Sequence, residues 1–220
     1  MIIPSRTLRI PLIENLREKA KGDQTKLNII DFKNATQDSR TVSDIARKSL
    51  SHRRFSAFLL LLCRHLGLEM VFETGTSLGL NAAYMAVDQS RSVVTLEGNM
   101  DVAAYAMETF KQASQTNVTV IEKDLREGFV QVLKTYDPEL IFLDADHSSG
   151  AIDFCISAVA EHSRNARVIA IHDIYWSRDM TQAWLAAVAN PEFPLTVDLF
   201  QAGLVFLNVD TPKQHFTVKF

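Results

Sequence analysis

Two short stretches, LDADHSSG and AIHDIYW, place Asp144, Asp146 and His147 in one and His172 and Asp173 in the other. Carboxylate oxygens beside imidazole nitrogens suit a divalent metal that keeps open positions for substrate oxygens. A second set lies upstream. In VFETGTSLGL, Glu73 stands just before Gly75, Thr76, Ser77 and Gly79, in a chain that has only eight glycines. Glycines let a backbone approach a ligand closely, and a carboxylate beside them receives an ammonium group better than a pyrophosphate. The spacing is G-x-x-x-G, not the dinucleotide pattern G-x-G-x-x-G, and no Lys-Ser/Thr pair follows it for a nucleoside triphosphate. Glu97, with Gly98 behind it, ends the next apolar run about 20 residues on, where a carboxylate can accept both hydroxyls of a ribose. Asp124, in IEKDLREGF, either accepts from an adenine amino group or caps the helix that begins at Leu125.

Each group also has a structural reading. The glycine turn can bind nothing, Glu97 can be an exposed strand end, and His172 and Asp173 can bond each other. For Asp146 the preferred reading is that it, or Ser148, caps the helix that follows.

These residues need elements to carry them, and the apolar pattern supplies an order. From Glu69 onward strands alternate with helices: EMVFET, LNAAYMAVD, SVVTLE, DVAAYAMETFKQA, VTVIEK, REGFVQVLKTY, ELIFLDA, SGAIDFCISAVAEHS, ARVIAIHD and DMTQAWLAAVA. Continuous apolar strands alternating with helices predict a doubly wound, mostly parallel sheet, an α/β Rossmann-like fold. LTVDLF and LVFLNV around QAG predict a closing antiparallel hairpin, with HFTVKF as a further hairpin partner. In such sheets ligands bind beyond the carboxyl ends of the strands, which is where every residue named above falls. Ahead of this, LRIPLIENLREKAKG predicts an amphipathic helix ending at Gly22, DQTKLNIIDFKNATQDSR a loop with one short extended piece, and TVSDIARKSL a helix capped by Thr41 or Ser43. SHRRFSAFLLLLCRHLG predicts a helix apolar nearly all round and stopped by Gly67. The expected division is an N-terminal helical cap over 1–50 and a Rossmann-like domain over 51–220.

A net charge of −3 gives no pull toward nucleic acid or an anionic membrane. The apolar run FSAFLLLLC is far short of the ~20 residues that span a bilayer, and the first residues lack the sequence of a signal peptide. Cys63 and Cys155 read as buried core thiols, so a cytoplasmic protein is expected. His52, His65, His162 and His215 have no partner in the sequence and read as surface or satisfied core residues, and the basic cluster ARKSLSHRR reads as a solvated helix junction. The helix Phe55–Leu62 could bury against a second copy as readily as against the sheet, so a homodimer is among the expected assemblies.

The E-T-G-T-S-L-G turn, the glutamate closing the second strand, D-A-D after the fourth and the His172–Asp173 pair followed by Trp176 after the fifth resemble class I S-adenosylmethionine-dependent methyltransferases. The resemblance covers about residues 50–180 and is nearest to the metal-assisted small-molecule O-methyltransferases of the catechol and caffeoyl-CoA type and to uncharacterised bacterial relatives. It implies that Gly75, Thr76, Ser77 and Gly79 pass under the methionine part of the cofactor with Glu73 nearby. Glu97 and Gly98 would serve the ribose and Asp124 the adenine edge, while Asp144 would stand near both cofactor and metal. Those enzymes take further ligands from an Asp-Asn pair; His172 and Asp173 stand there in this chain, giving Asp144, His172 and Asp173 as the expected cage for Mg²⁺ or another divalent ion. His147 falls where those enzymes keep a lysine base. Because the sulfonium already activates the methyl group, the protein must align an acceptor oxygen and take its proton, which a histidine near ~6.5 can do. The expected function is therefore methyl transfer to a small-molecule acceptor, with His147 and Asp144 in the catalytic roles. The rivals are a metal-dependent hydrolase or hydroxylase-type centre on the same fold and a non-catalytic cofactor-binding protein. Tyr175 and Trp176 either wall the acceptor pocket or pack.

Overall fold

The computed structural model describes residues 8–31 and 36–219, and these form two compact units. One holds the residues before Met70 together with Gly75–Asp124; the other holds Met70–Thr74 and everything from Leu125 onward.

In the first unit, α1 (Pro11–Gly22) starts on a proline, whose missing N–H costs nothing at a helix start. The pair β1 (Lys26–Asp31) and β2 (Thr36–Thr41) is antiparallel, with Asp31 opposite Thr36. This corrects the expectation of a loop with one extended piece. α2 (Val42–Lys48) is capped by Thr41, whose hydroxyl accepts from the Asp44 N–H. α3 (Arg53–Leu66) has half of its fourteen residues buried, from Phe55 to Cys63, and ends at Gly67 in the left-handed region (φ 61°). After the glycine turn come α4 (Leu80–Met85), shorter than the sequence pattern indicated, β4 (Ser92–Glu97), α5 (Met100–Gln112) and β5 (Val118–Glu122), with β4 and β5 parallel.

The second unit contains β3 (Met70–Thr74), α6 (Leu125–Tyr136), β6 (Leu140–Leu143), α7 (Ser149–His162), β7 (Val168–His172), α8 (Arg178–Ala189), β8 (Leu195–Asp198), β9 (Ala202–Phe206) and β10 (Gln214–Thr217). Its strands are ordered β10-β8-β9-β7-β6-β3. The pairs β3–β6 and β6–β7 are parallel, and β9 is antiparallel to both β7 and β8. The fold class read from the sequence, α/β with mostly parallel strands closed by an antiparallel hairpin, is the one observed. HFTVKF is a correction: β10 pairs with β8 and runs parallel to it. Since β7 and β8 occupy both edges of β9, the last strand can pair only on the free edge of β8.

β6 and β7 are wholly buried, as befits strands covered on both faces. Their register sets Leu143 opposite Ile171, so the next residues, Asp144 just past β6 and His172 as the last residue of β7, stand side by side.

Candidate active site

The first unit carries the glycine turn. Gly75 (φ 80°), Ser77 (φ 51°) and Gly79 (φ 83°) all take left-handed backbone, which a glycine adopts at little cost. The Gly75 N–H donates to the Leu96 carbonyl at 2.9 Å, and the Gly79 N–H donates to the Thr76 carbonyl at 2.9 Å. Gly79 is fixed by packing as well: a Cβ there would lie 2.9 Å from two atoms of the Phe110 ring. Thr76 is tied to Thr95 through their hydroxyls at 2.7 Å. Glu97 joins this turn to its own. Its Oε2 accepts from the Ser77 N–H and its Oε1 from the Asn99 N–H, both at 3.0 Å. Burial pushes the Glu97 carboxyl up, and the backbone N–H donors of Asn99 and Ser77 offset only part of that rise. Gly98 and Asp124 are half-buried, Asp124 immediately before α6.

The second unit carries Glu73, fully buried at the end of β3, and the carboxylate–imidazole cluster. The Asp144 N–H donates to the Thr74 carbonyl and hydroxyl, both at 3.2 Å, which fixes the chain as it leaves β6. Asp144 Oδ1 lies 2.8 Å from His172 Nδ1 and 3.6 Å from His147 Nε2. Asp173 Oδ2 lies 3.6 Å from each of the same two nitrogens. The close partner of His172 is thus Asp144, not its neighbour Asp173. Burial alone would push the His172 imidazole down; the bond and charge of Asp144, with Asp173 behind it, outweigh that and leave it raised. Burial likewise works to raise Asp144, but the two imidazoles hold it below the ordinary carboxylate range.

Ligand atoms of Asp144, His147 and His172 lie within 4.8 Å of one another. The sequence set Asp173 in the cage and His147 outside it, whereas all four side chains converge here. Asp146 does the structural work expected: Ser148 caps α7 by accepting from the Ala151 N–H, and its hydroxyl donates to Asp146 Oδ1 at 3.0 Å. The backbone is left-handed at Asp146 (φ 45°) and Asp173 (φ 54°), a conformation that aspartate tolerates better than most residues.

Several contributors were not foreseen. Gln201, in the β8–β9 turn, accepts the Asp173 N–H on its carbonyl at 2.8 Å and brings its amide to 3.5 Å from His172 Nε2. Asp198 receives the Tyr175 hydroxyl, the Trp184 indole N–H at 3.3 Å and the Phe200 N–H at 2.7 Å. The Tyr175 ring lies tilted against Phe200, centroids 5.4 Å apart, while Trp176 is exposed. An Asp at a strand end or a Gln in a turn carries no sequence signal of such a role. The remaining histidines are satisfied or at the surface, as the sequence reading had them. His52 Nδ1 caps α3 by accepting from the Arg54 N–H, His162 lies 3.7 Å from Glu161, and His215 meets the Thr196 hydroxyl at 2.9 Å; His65 is exposed on α3. Both cysteines are buried, and burial pushes the Cys155 thiol up to about 12. Among the described residues no helix is long and apolar enough to cross a membrane.

Residues 72–174 match the family model of a methyltransferase domain. The chain matches none of the curated proteins. Among solved structures, it is similar to the S-adenosylhomocysteine-bound methyltransferase PaMTH1 of Podospora anserina (16% identity, TM-score 0.68, covering 91% of this chain and 89% of that one). It is also similar to the O-methyltransferase from Bacillus cereus in complex with S-adenosylhomocysteine (17% identity, TM-score 0.65, 91% and 92%). A third is cofactor-bound Rv0187 from MTB (17% identity, TM-score 0.69, 94% of each chain). The chain therefore has the fold of these structures, and the segment that matches a methyltransferase domain, residues 72–174, bears both residue sets.

Proposed function

We propose that this chain is a class I S-adenosylmethionine-dependent methyltransferase that moves the methyl group of S-adenosylmethionine to an oxygen of a small-molecule acceptor, with His147 taking the acceptor's proton. The observation that carries the reading is the convergence of two imidazoles and two carboxylates just past β6 and β7, with His147 Nε2 3.6 Å from both Asp144 and Asp173. An imidazole flanked by carboxylates can accept a proton and have the resulting charge stabilised where it forms. The cofactor's sulfonium supplies an activated methyl group; this chain's residues bind, orient and move the proton. Glu97 receives the ribose hydroxyls, the open backbone from Gly75 to Gly79 admits the amino-acid end, and Glu73 and Asp124 serve the ammonium and adenine sides. Thr74, which receives the Asp144 N–H, is followed directly by Gly75, so one peptide bond links the donor-binding turn to the strand that braces the acid–base cluster.

The donor set also fits a divalent ion. Asp144 and His172 would hold it, with His147 or Asp173 as third ligand, and it would lower the pKa of an acceptor hydroxyl. Two imidazoles beside a carboxylate favour Mn²⁺ or Zn²⁺ over Mg²⁺, which prefers oxygen.

Calorimetric titration with S-adenosylmethionine and S-adenosylhomocysteine tests the donor, with NAD and ATP as controls. Micromolar binding that Glu97→Ala weakens supports the reading, and absence of binding overturns it. Thermal shift with Mn²⁺, Zn²⁺ and Mg²⁺ on wild type and His147→Ala tests the acid–base assignment. A metal-induced shift that His147→Ala abolishes would make His147 a ligand and remove it as the base.

A further inference from the structure

The β1–β2 pair is fastened to the turn that carries Glu97, and the fastening uses side chains in an unusual way. Asn99 is the N-cap residue of α5, a position where asparagine ordinarily bonds an N–H of the first helical turn. It makes no such bond. Its Oδ1 accepts instead from the Ile30 N–H at 2.6 Å. Two residues along the helix, Asp101 Oδ2 accepts from the Asn28 N–H at 2.9 Å and from the Asn28 side-chain amide at 2.7 Å. Asn28 and Ile30 are alternate residues of β1, so both N–H groups leave the same edge of the strand. Leu27, on β1, is buried with Leu78 from the glycine turn and Val102 from α5 in one apolar cluster.

We infer that the β1–β2 pair is part of the cofactor's site, a cover anchored through Asn99 and Asp101 that holds the Glu97 turn in its binding geometry. This rests on the reading of Glu97 as the ribose ligand. The backbone N–H of Asn99 donates to Glu97 Oε1 while its side chain holds β1, so one residue joins ligand group and cover. If the cover favours the bound geometry of Glu97, the bound cofactor must favour the anchored cover to the same degree, because coupling between sites is reciprocal. Asn99 and Asp101 are positioning residues in this account; they act through Glu97.

The test uses the full chain, calorimetry with S-adenosylhomocysteine, and amide hydrogen exchange in peptides covering residues 26–31. In wild type the ligand is expected to slow exchange in those peptides. Asn99→Ala keeps the backbone donor to Glu97 but removes both the Ile30 anchor and the side-chain bond of Asn99 to Glu97; Asp101→Ala removes only the Asn28 anchor and is the variant that separates the cover from the ligand group. Each is expected to weaken binding about fivefold, the worth of one net hydrogen bond, and to speed exchange in 26–31. Asp101→Asn, which keeps an oxygen acceptor, should restore binding to within about twofold. Variants that bind as wild type does while exchange in 26–31 has risen would overturn the inference and leave the cofactor reading standing. Failure of wild type to bind would overturn both. Should the alanine variants lose their far-ultraviolet dichroism, the wild-type exchange with and without ligand decides alone, and unchanged exchange overturns the inference.

Discussion

Gly79→Ala puts the packing account of the glycine turn at risk. Two costs add. The backbone at φ 83° is left-handed, which a residue with a Cβ adopts at about 1–2 kcal/mol. The new Cβ would also lie 2.9 Å from Cε1 and Cζ of Phe110 and 3.3 Å from the Ala106 Cβ. Phe110 is only 4% exposed, so its ring has little room to retreat, and overpacking of this kind costs about 1–3 kcal/mol. Removing glycine stiffens the unfolded chain and returns about 0.4–1 kcal/mol. The net loss is then roughly 1–4 kcal/mol, a large share of the ~5–15 kcal/mol that holds a domain of ordinary stability. Urea denaturation measures it. Phe110→Leu separates the two costs, because it frees the space of the ring and leaves the dihedral angle alone. In the Gly79→Ala background this second change should recover about 1 kcal/mol or more relative to simple addition of the two single effects. A loss under about 0.5 kcal/mol for Gly79→Ala, or strict additivity with Phe110→Leu, would refute the reasoning.

Gly203→Ala should be worse tolerated still: its Cβ would come within 2.4–2.7 Å of three atoms of the Trp184 ring, which is 1% exposed, and a fall of several degrees in Tm with altered tryptophan fluorescence is expected. The raised Glu97 carboxyl gives cofactor binding a pH dependence. On the proposed role of Glu97, its ionised form would accept the ribose hydroxyls, so affinity for S-adenosylhomocysteine should hold above the raised value and fall as pH drops through it, while Glu97→Gln binds weakly with a flat profile by calorimetry. Tyr84 donates to buried Glu14 at 2.8 Å, and burial first, then Glu14, pushes its hydroxyl up to about 12. A raised acid in the folded state means stability is full below the unfolded value near 10 and is lost as pH rises toward 12. Tyr84→Phe should cost about 1–3 kcal/mol at pH 8 by urea denaturation and show less of this alkaline loss.

The fold was legible because buried parallel strands write themselves as apolar runs: VVTL, LIFL and VIAI are strands for the same reason that they are buried. The site was legible to the extent that strand register decides it. Leu143 opposite Ile171 brings Asp144 beside His172, and any reading that looks just past the strand ends meets both. What the sequence hid depends on contacts distant along the chain. KLNIID and TQDSRT pair into strands although β2 is exposed along almost its whole length; the pairing leans on Asn99 and Asp101, some seventy residues away. Asn99 itself looks like a helix cap in EGNMD, and nothing local reveals that its side chain is spent elsewhere. The direction of β10 was hidden for a like reason, since it follows from which edges of β9 are already taken.

The aspartates past β6 and β7 show why residue type and role did not map one to one. A chain leaving a buried strand must turn sharply to reach the next helix, and at Asp146 and Asp173 it does so through left-handed backbone. Aspartate is among the few side chains with a Cβ that accept this, so a turn alone accounts for a carboxylate at either position. The two part company in what surrounds the side chain. Asp146 spends its oxygen on the Ser148 hydroxyl that caps α7, and its charge serves the fold. Asp173 gives its backbone N–H to Gln201 and its backbone carbonyl to the Trp176 N–H, which completes the turn without the carboxylate. Its Oδ2 is then left to face the two imidazole nitrogens. The turn fixes where that carboxylate stands; the imidazoles fix what it can do.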